Sequence, residues 1–415
     1  MKLAVVGGGS TYTPELVAGL ARERERLDLR ELVLHDIDAD RREVVGGLAG
    51  RMLDAAGYTG SLAVTDDLDV ALDRASFVLI QLRVGGQAAR LSDETIPLAC
   101  GCIGQETTGA GGLGKALRTV PVVLEIAERV RELAHDGAWI VDFTNPVGIV
   151  TRALLDHGHR AVGLCNVAIG IQRHVARLLE VEPRRVLVDQ VGLNHLTWVR
   201  AVHVNGRDVL PELLRDHGDE LAAHAGQPRR VLEELGAIPS YYLRYFYFHD
   251  DVLEEQRTGV PRAATVAEIE RELLELYRDP ALTTTPKLLE QRGGAYYSEA
   301  ATQLVASLAS GDGDVQVVDV RNNDTVAGLA DDDVVELPAR VEAAGPVPLP
   351  QAPLAPELLG LAQHVAAYER LAVAAALSGE RTVVHKALLA HPLIGQVPMA
   401  DELVTALLAA ETTVV

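Results

Sequence analysis

Lys2-Leu3-Ala4-Val5-Val6-Gly7-Gly8-Gly9-Ser10-Thr11 is an apolar strand that runs directly into three glycines and two hydroxyls. A strand followed by Gly-x-Gly predicts a tight turn into a helix whose N-terminal N–H groups face a pyrophosphate. Residues Thr13 to Leu20 supply that helix, with Pro14 in its first turn. A second apolar run, Glu31-Leu32-Val33-Leu34-His35, closes on Asp36. It begins about 30 residues after the first, as a βαβ unit requires. A carboxylate at that strand end suits the ribose hydroxyls of NAD and repels the extra phosphate of NADP. Gly7, Gly9, Ser10, Thr11 and Asp36 are therefore the candidate cofactor-binding residues. Tyr12 occupies the place of the fingerprint's third glycine, and a βα turn that binds nothing is the alternative reading.

The pattern repeats along the first 165 residues. Val70 to Ser76 reads as helix, Phe77 to Leu82 as a buried strand ending at Arg83, and Thr119 to His135 as helix. Trp139 to Phe143 reads as a strand ending at Thr144-Asn145-Pro146, and Ala161 to Leu164 as a strand ending at Cys165. Buried strands alternating with helices predict a doubly wound parallel sheet, which binds ligands beyond its strand C-termini. Short strands and helices follow, with antiparallel signals at Gln316–Val320 and Val334–Leu337 and a Pro-rich connector over 345–356. Alanine- and leucine-rich helices from Ala355 onward predict a closing layer or a subunit interface. The expected fold class is α/β: a Rossmann-like domain over 1–165 and an α+β domain for substrate, metal and oligomerisation over 166–415.

A chain of 415 residues, 48% hydrophobic, can bury a large core. Its formal charge of −21 opposes nucleic-acid binding as a primary role. Three cysteines, Cys100, Cys102 and Cys165, favour reduced thiols and a cytoplasmic setting. No secretory leader and no stretch of membrane-spanning length is identified, so no membrane association is expected.

Cys165 and His195 offer a thiolate and an imidazole, good ligands for a divalent transition metal that leave positions open for substrate oxygens. Read alone, Cys165 is also a small buried hydrophobe and His195 a satisfied polar residue. Gly104-Gln105-Glu106-Thr107-Thr108-Gly109-Ala110-Gly111-Gly112 is a glycine-rich loop carrying a carboxylate, without the lysine and spacing of a phosphate loop; a surface turn is its bland reading. Tyr241 to Tyr247 concentrates tyrosines that serve as core, with one of them a possible general base. Arg292 suits a phosphate or carboxylate, or a surface ion pair.

These motifs coincide with a family. Val6 to Thr11, Arg83-Val84-Gly85-Gly86, Gly104-Gln105-Glu106-Thr107, Thr144-Asn145-Pro146, Cys165-Asn166 and Asn194-His195 resemble, in order, the NAD- and metal-dependent glycosidases of glycoside hydrolase family 4. Cys165-Asn166 is similar to the 6-phospho-β-glucosidase branch, whereas α-acting members carry Cys-Asp. Asp324 stands where that branch usually has glycine. The resemblance implies an architecture like the lactate and malate dehydrogenases, and hydrolysis by redox elimination and addition, outside the two-carboxylate scheme of most glycosidases. NAD oxidises C3 of the sugar, a base removes the C2 proton, the aglycone leaves C1, water adds, and the ketone is reduced again. It further implies Mn2+ or another divalent metal on Cys165 and His195, and Tyr242 as base, with Tyr241 and Tyr245 as neighbours in register. Arg83, Glu106, Asn145, Asn166 and Arg292 are then the candidates for substrate contacts. The expected partner is a phosphorylated sugar, and the expected assembly a homodimer or homotetramer. Another or unphosphorylated glycoside, or malate-type dehydrogenation, is the alternative.

Overall fold

The structure, a computed structural model, describes residues 1–24, 26–294 and 296–414. Six parallel strands come first: β1 (Lys2–Val6), β2 (Glu31–His35), β3 (Ser61–Thr65), β4 (Phe77–Ile80), β5 (Trp139–Asp142) and β6 (Ala161–Gly163). They lie in the order 3-2-1-4-5-6, the arrangement of dinucleotide-binding doubly wound sheets. The side chains of β1 from Leu3 to Val6, and of all of β4, are buried, because helices cover both faces of the sheet. Burial of each such Val or Leu contributes about 1.5–3 kcal/mol. The strand order reverses between β1 and β4, which opens a crevice above their C-terminal ends.

The remaining strands are β7 (Val186–Leu193), β8 (Leu196–Val204), β9 (Arg207–Asp208), β10 (Ile238–Pro239), β11 (Val315–Arg321), β12 (Val334–Glu342) and β13 (Gly345–Pro348). They extend the same sheet antiparallel through β11, β12, β7, β8 and β10. Two narrow junctions join the parts: Asp319 of β11 faces Gly163 of β6, and Glu336 of β12 faces Gly192 of β7. Asp319 and Glu336 also face each other in the β11–β12 ladder. Three helices, Pro356–Ser378, Arg381–Leu389 and Val397–Val414, close one side against the helix Gly109–Leu133. No helix among the described residues is long and apolar enough to cross a membrane.

Three sequence expectations need correction. The helix placed at Val70–Ser76 is Leu68–Leu72, because the Asp67 carboxylate accepts the N–H groups of Asp69 and Val70 and so starts it earlier. The connector at 345–356 begins as strand β13, which pairs with β12 at the sheet margin, where Pro346 and Pro348 need donate no ladder hydrogen bond. The glycine-rich stretch is no surface turn, since Gly109 opens a 25-residue helix whose first turn is buried. A Cβ on Gly111 would stand 2.2 Å from Asp93 O and 2.4 Å from Gln105 O. The glycine there permits close packing against the helix Gly86–Ala99, and flexibility is not its purpose.

Candidate active site

The crevice begins at the first turn of the chain. The N–H groups of Gly7 and Gly8 both donate to His35 O, at 2.9 and 2.7 Å. Gly7 takes φ +87°, and a Cβ there would stand 2.7 Å from Gln81 O. Only glycine lets β1 turn at that point. Asp36 lies just past β2 and accepts Gly9 N–H at 2.8 Å and Asp38 N–H at 3.0 Å, which holds its carboxylate against the loop. The helix Thr13–Arg22 has no side-chain cap at its N-terminus. Gly7, Gly9, Ser10, Thr11 and Asp36 thus share one rim of the crevice.

Arg292 belongs to this rim. Its guanidinium lies 4.2 Å from the centre of the Tyr12 ring, and its Nε donates to Glu270 at 2.9 Å. Arg41 donates to the other Glu270 oxygen at 3.1 Å. Burial alone would push the Glu270 carboxyl up, but Arg292 and Arg41 more than offset it and hold it below its ordinary value. Glu270 is buried and Arg292 largely so, and Arg292 is therefore not the surface contact that its sequence context allowed. Glu270 and Arg41 were missed in the sequence, since 229 residues separate them and neither carries a local motif.

A second group occupies the segment after β4. Arg83 forms an ion pair with Glu106, and Lys115 and Arg90 approach the same carboxylate at 2.7 and 3.1 Å. Burial opposes the charge on Glu106, yet Arg83, Lys115 and Arg90 keep its carboxyl well below the usual range. Burial, then Arg83, lowers the Lys115 ammonium to about 8 against the pull of Glu106. Lys115 went unread as a site residue, although it is one of only four lysines in the chain.

The third group gathers beyond β5 and β6. Cys165 is buried, with Sγ 3.9 Å from the Tyr297 hydroxyl and 3.8 Å from Asn166 Oδ1. Tyr297 stacks on Phe143 at 6.0 Å, and its phenol contacts Asn145. His195 sits in the two-residue turn between β7 and β8, with φ +65°. A left-handed residue other than glycine costs about 1–3 kcal/mol and persists only where its surroundings hold it. Here the Ser240 hydroxyl donates to His195 O at 2.9 Å, Nδ1 lies 3.1 Å from Thr107 Oγ1, and the ring stacks on Tyr242 with centroids 3.7 Å apart. Asn194, just before it, donates to Glu336 Oε2 at 2.9 Å and to Asp319 Oδ2 at 3.4 Å.

Burial and then Lys115 push His195 down to about 3, so its imidazole is neutral. Its Nε2 is buried and has no hydrogen-bond partner among the described residues. Burial, then the carboxyls of Glu336 and Asp319, raises the Cys165 thiol well above its ordinary value. Burial, then Cys165, does the same to Tyr242, which therefore lies within electrostatic reach of the thiol while touching the imidazole. Tyr241 instead turns outward, 43% exposed, where its hydroxyl accepts from Arg244 at 2.8 Å.

Among the described residues no group of three or more His, Cys, Asp or Glu forms a cation site. A sulfur with only long contacts and an orphaned imidazole nitrogen nevertheless fit a cation that takes its remaining ligands from elsewhere. Coordination would also supply what the buried thiol lacks, since a metal-bound thiol is deprotonated.

The model of the family 4 glycosyl hydrolases matches residues 2–181, and that of their C-terminal domain matches residues 190–394. The probable 6-phospho-β-glucosidase of Bacillus subtilis (strain 168) is 40% identical, across 99% of this chain and 96% of its own. The 6-phospho-β-glucosidase of Thermotoga maritima, solved with manganese, NAD+ and glucose-6-phosphate, superposes with a TM-score of 0.94 at 35% identity, over 100% of this chain and 99% of its own. Malate dehydrogenase of Plasmodium falciparum, at 14% identity and TM-score 0.58 over 91% of this chain and 98% of its own, shares the fold. With both halves matched, the chain belongs to family 4 of the glycosyl hydrolases.

Proposed function

We propose that this protein hydrolyses 6-phospho-β-glucosides with NAD and a divalent cation such as Mn2+. The observation that carries the reading is Tyr242 stacked on the buried His195 and within electrostatic reach of the buried Cys165, on a chain 40% identical to a probable 6-phospho-β-glucosidase. When bound, NAD supplies a reversible hydride acceptor for C3, and the cation supplies positive charge at the neighbouring hydroxyls, worth several kcal/mol as they ionise.

The chain's own residues do the rest. Gly7, Gly9, Ser10 and Thr11 cradle the pyrophosphate, and Asp36 takes the ribose hydroxyls. Sγ of Cys165 and the imidazole of His195 hold the cation. Tyr242, as the phenolate, would take the C2 proton on its oxygen and become the neutral phenol. Its burial disfavours the phenolate, Arg90 offsets part of that cost, and stacking on His195 keeps the ring beside a side chain that would hold the cation, whose charge would offset more. Arg83, Asn145, Asn166 and Arg292 orient the sugar and its phosphate, and Glu106 holds Arg83 in place. Asn166 is an amide and cannot serve as an acid.

Residues 1–165 form the nucleotide-binding domain in this reading, and 166–415 the domain for substrate, metal and assembly. The three free thiols support a reducing, cytoplasmic setting, and the family resemblance supports a homodimer or homotetramer. The test is incubation of the purified protein with NAD, Mn2+, a thiol reductant and an aryl 6-phospho-β-glucoside. Release of the phenol without accumulation of NADH is expected. Turnover confined to unphosphorylated or α-linked glycosides, or NADH appearing in step with product, would refute the assignment.

A further inference from the structure

A neutral imidazole has one proton for two nitrogens, so a metal-ligating histidine needs a partner that keeps the proton on the other nitrogen. The Nδ1 of His195 faces Thr107 Oγ1 at 3.1 Å, and the role of that oxygen is decided two residues earlier. The Gln105 side chain meets the backbone N–H groups of both Thr107 and Thr108, the second at 3.0 Å. Two N–H groups can share only an acceptor, so the amide presents its carbonyl oxygen there. The Thr107 hydroxyl contacts the same oxygen at 2.7 Å. A carbonyl has no proton to give, so the hydroxyl donates its single proton to Gln105. Thr107 Oγ1 is left with lone pairs alone toward the ring, and His195 must donate Nδ1–H to it. The free lone pair then lies on Nε2, the atom that is buried without a partner among the described residues.

We propose that Gln105 and Thr107 are positioning residues that set the tautomer of His195, so that Nε2 presents its lone pair to the cation shared with Cys165. The inference rests on the metal reading of the proposed function and assigns a task to the Gln-Glu-Thr stretch beyond the ion pairs of Glu106. Ser240 and Tyr242 complete the arrangement by fixing the turn and the ring plane.

The experiment compares the full-length protein with Thr107→Val, which keeps the shape and removes the acceptor, and with Thr107→Ser, which restores it. Thr107→Ala covers the case in which valine disturbs folding. Affinity for Co2+ is read from the thiolate-to-cobalt absorption band, and NAD affinity is the control for folding. Removing an outer partner of a metal-bound histidine typically lowers metal affinity about 10–100-fold, so Thr107→Val and Thr107→Ala should fall by that factor. Thr107→Ser should stay within about threefold, well short of that loss, and NAD affinity should not change. Wild-type affinity for Co2+ in both hydroxyl-free variants would overturn the inference. In parallel, 15N spectra of histidine-labelled, metal-free protein, assigned with His195→Gln, report the tautomer directly. An Nδ1–H form in the wild type that is lost in Thr107→Val supports the relay even if no metal binds, in which case it is the metal reading that fails. An Nε2–H form in the wild type would overturn the relay.

Discussion

Glu106→Gln is the most informative single change at the base of the crevice. The carboxylate is buried at 7% exposure, with Lys115 at 2%, and it meets Arg83, Lys115 and Arg90 at once. Removing one member of a buried ion group leaves the others uncompensated, at a cost of about 3–5 kcal/mol. Glutamine keeps an acceptor oxygen, which places the loss toward the lower figure. For a chain of 415 residues the unfolding entropy makes 1 kcal/mol worth about 1 °C in Tm, so Glu106→Gln should melt about 3–5 °C lower. The second half of the experiment is Lys115→Met, alone and combined with Glu106→Gln. The double variant has one fewer stranded cation than Glu106→Gln, so its loss should be smaller than the sum of the two singles by about 1–3 °C, within the range of measured couplings. Differential scanning at a fixed rate and protein concentration gives all four melting temperatures. Losses that simply add would refute the view that one carboxylate compensates several buried cations. Arg83 loses its anchor in the same variant, so KM for a phosphorylated substrate should rise with it.

Cys165→Ser should lower affinity for the divalent cation and activity together while NAD binding persists; a fully active enzyme with no bound metal would remove Cys165 from the ligand set. Tyr242→Phe should slow exchange of the C2 proton with deuterated solvent, measured by NMR on substrate or product; exchange at the wild-type rate would move the base to another group. Burial raises the carboxyls of Asp142 and Glu369 to about 8 each, so the native state keeps protons there that the unfolded chain releases. The stability this provides is full below the ordinary carboxylate range, near pH 4, and is lost as pH rises through about 8. Urea unfolding across that window should show this decline, and Glu369→Gln should flatten part of it; an unchanged slope would mean that Glu369 is ionised in the folded state.

Much of the fold was legible because its signals are local. Buried parallel strands read as apolar runs, and β1, β2, β4, β5 and β6 lie within a few residues of where those runs place them. The glycine turn and Asp36 are legible for the same reason, since a strand, a turn and a strand end are all written within 36 residues. What failed was the reading of glycine and proline by composition. In 104–112 and 345–348 those residues serve close packing and a sheet margin, and both depend on partners outside the stretch itself, the helix that carries Asp93 in one case and the neighbouring strand β12 in the other.

The site divides along the same line. Cys165, His195 and Tyr242 were found because several motifs fall in one order, and each sits in or beside such a motif. The long-range contacts that decide their chemistry have no such mark, even where one partner, Thr107, lies in a motif itself. Tyr297 reaches Cys165 across 132 residues, Glu336 reaches Asn194 across 142, and Thr107 reaches His195 across 88. Each long-range partner acts on geometry or on protons rather than on substrate. A turn that forces His195 to φ +65° is tolerable only because Ser240, Thr107, Tyr242 and the Asn194–Glu336 bond hold it from four directions. The strained backbone and the Nε2 that lacks a partner among the described residues have one explanation in the proposed function. In the proposed reading, the cost of a left-handed histidine at the tip of a hairpin is offset by what the conformation provides, a ring stacked on Tyr242 with its Nε2 lone pair available to the cation that Cys165 would share.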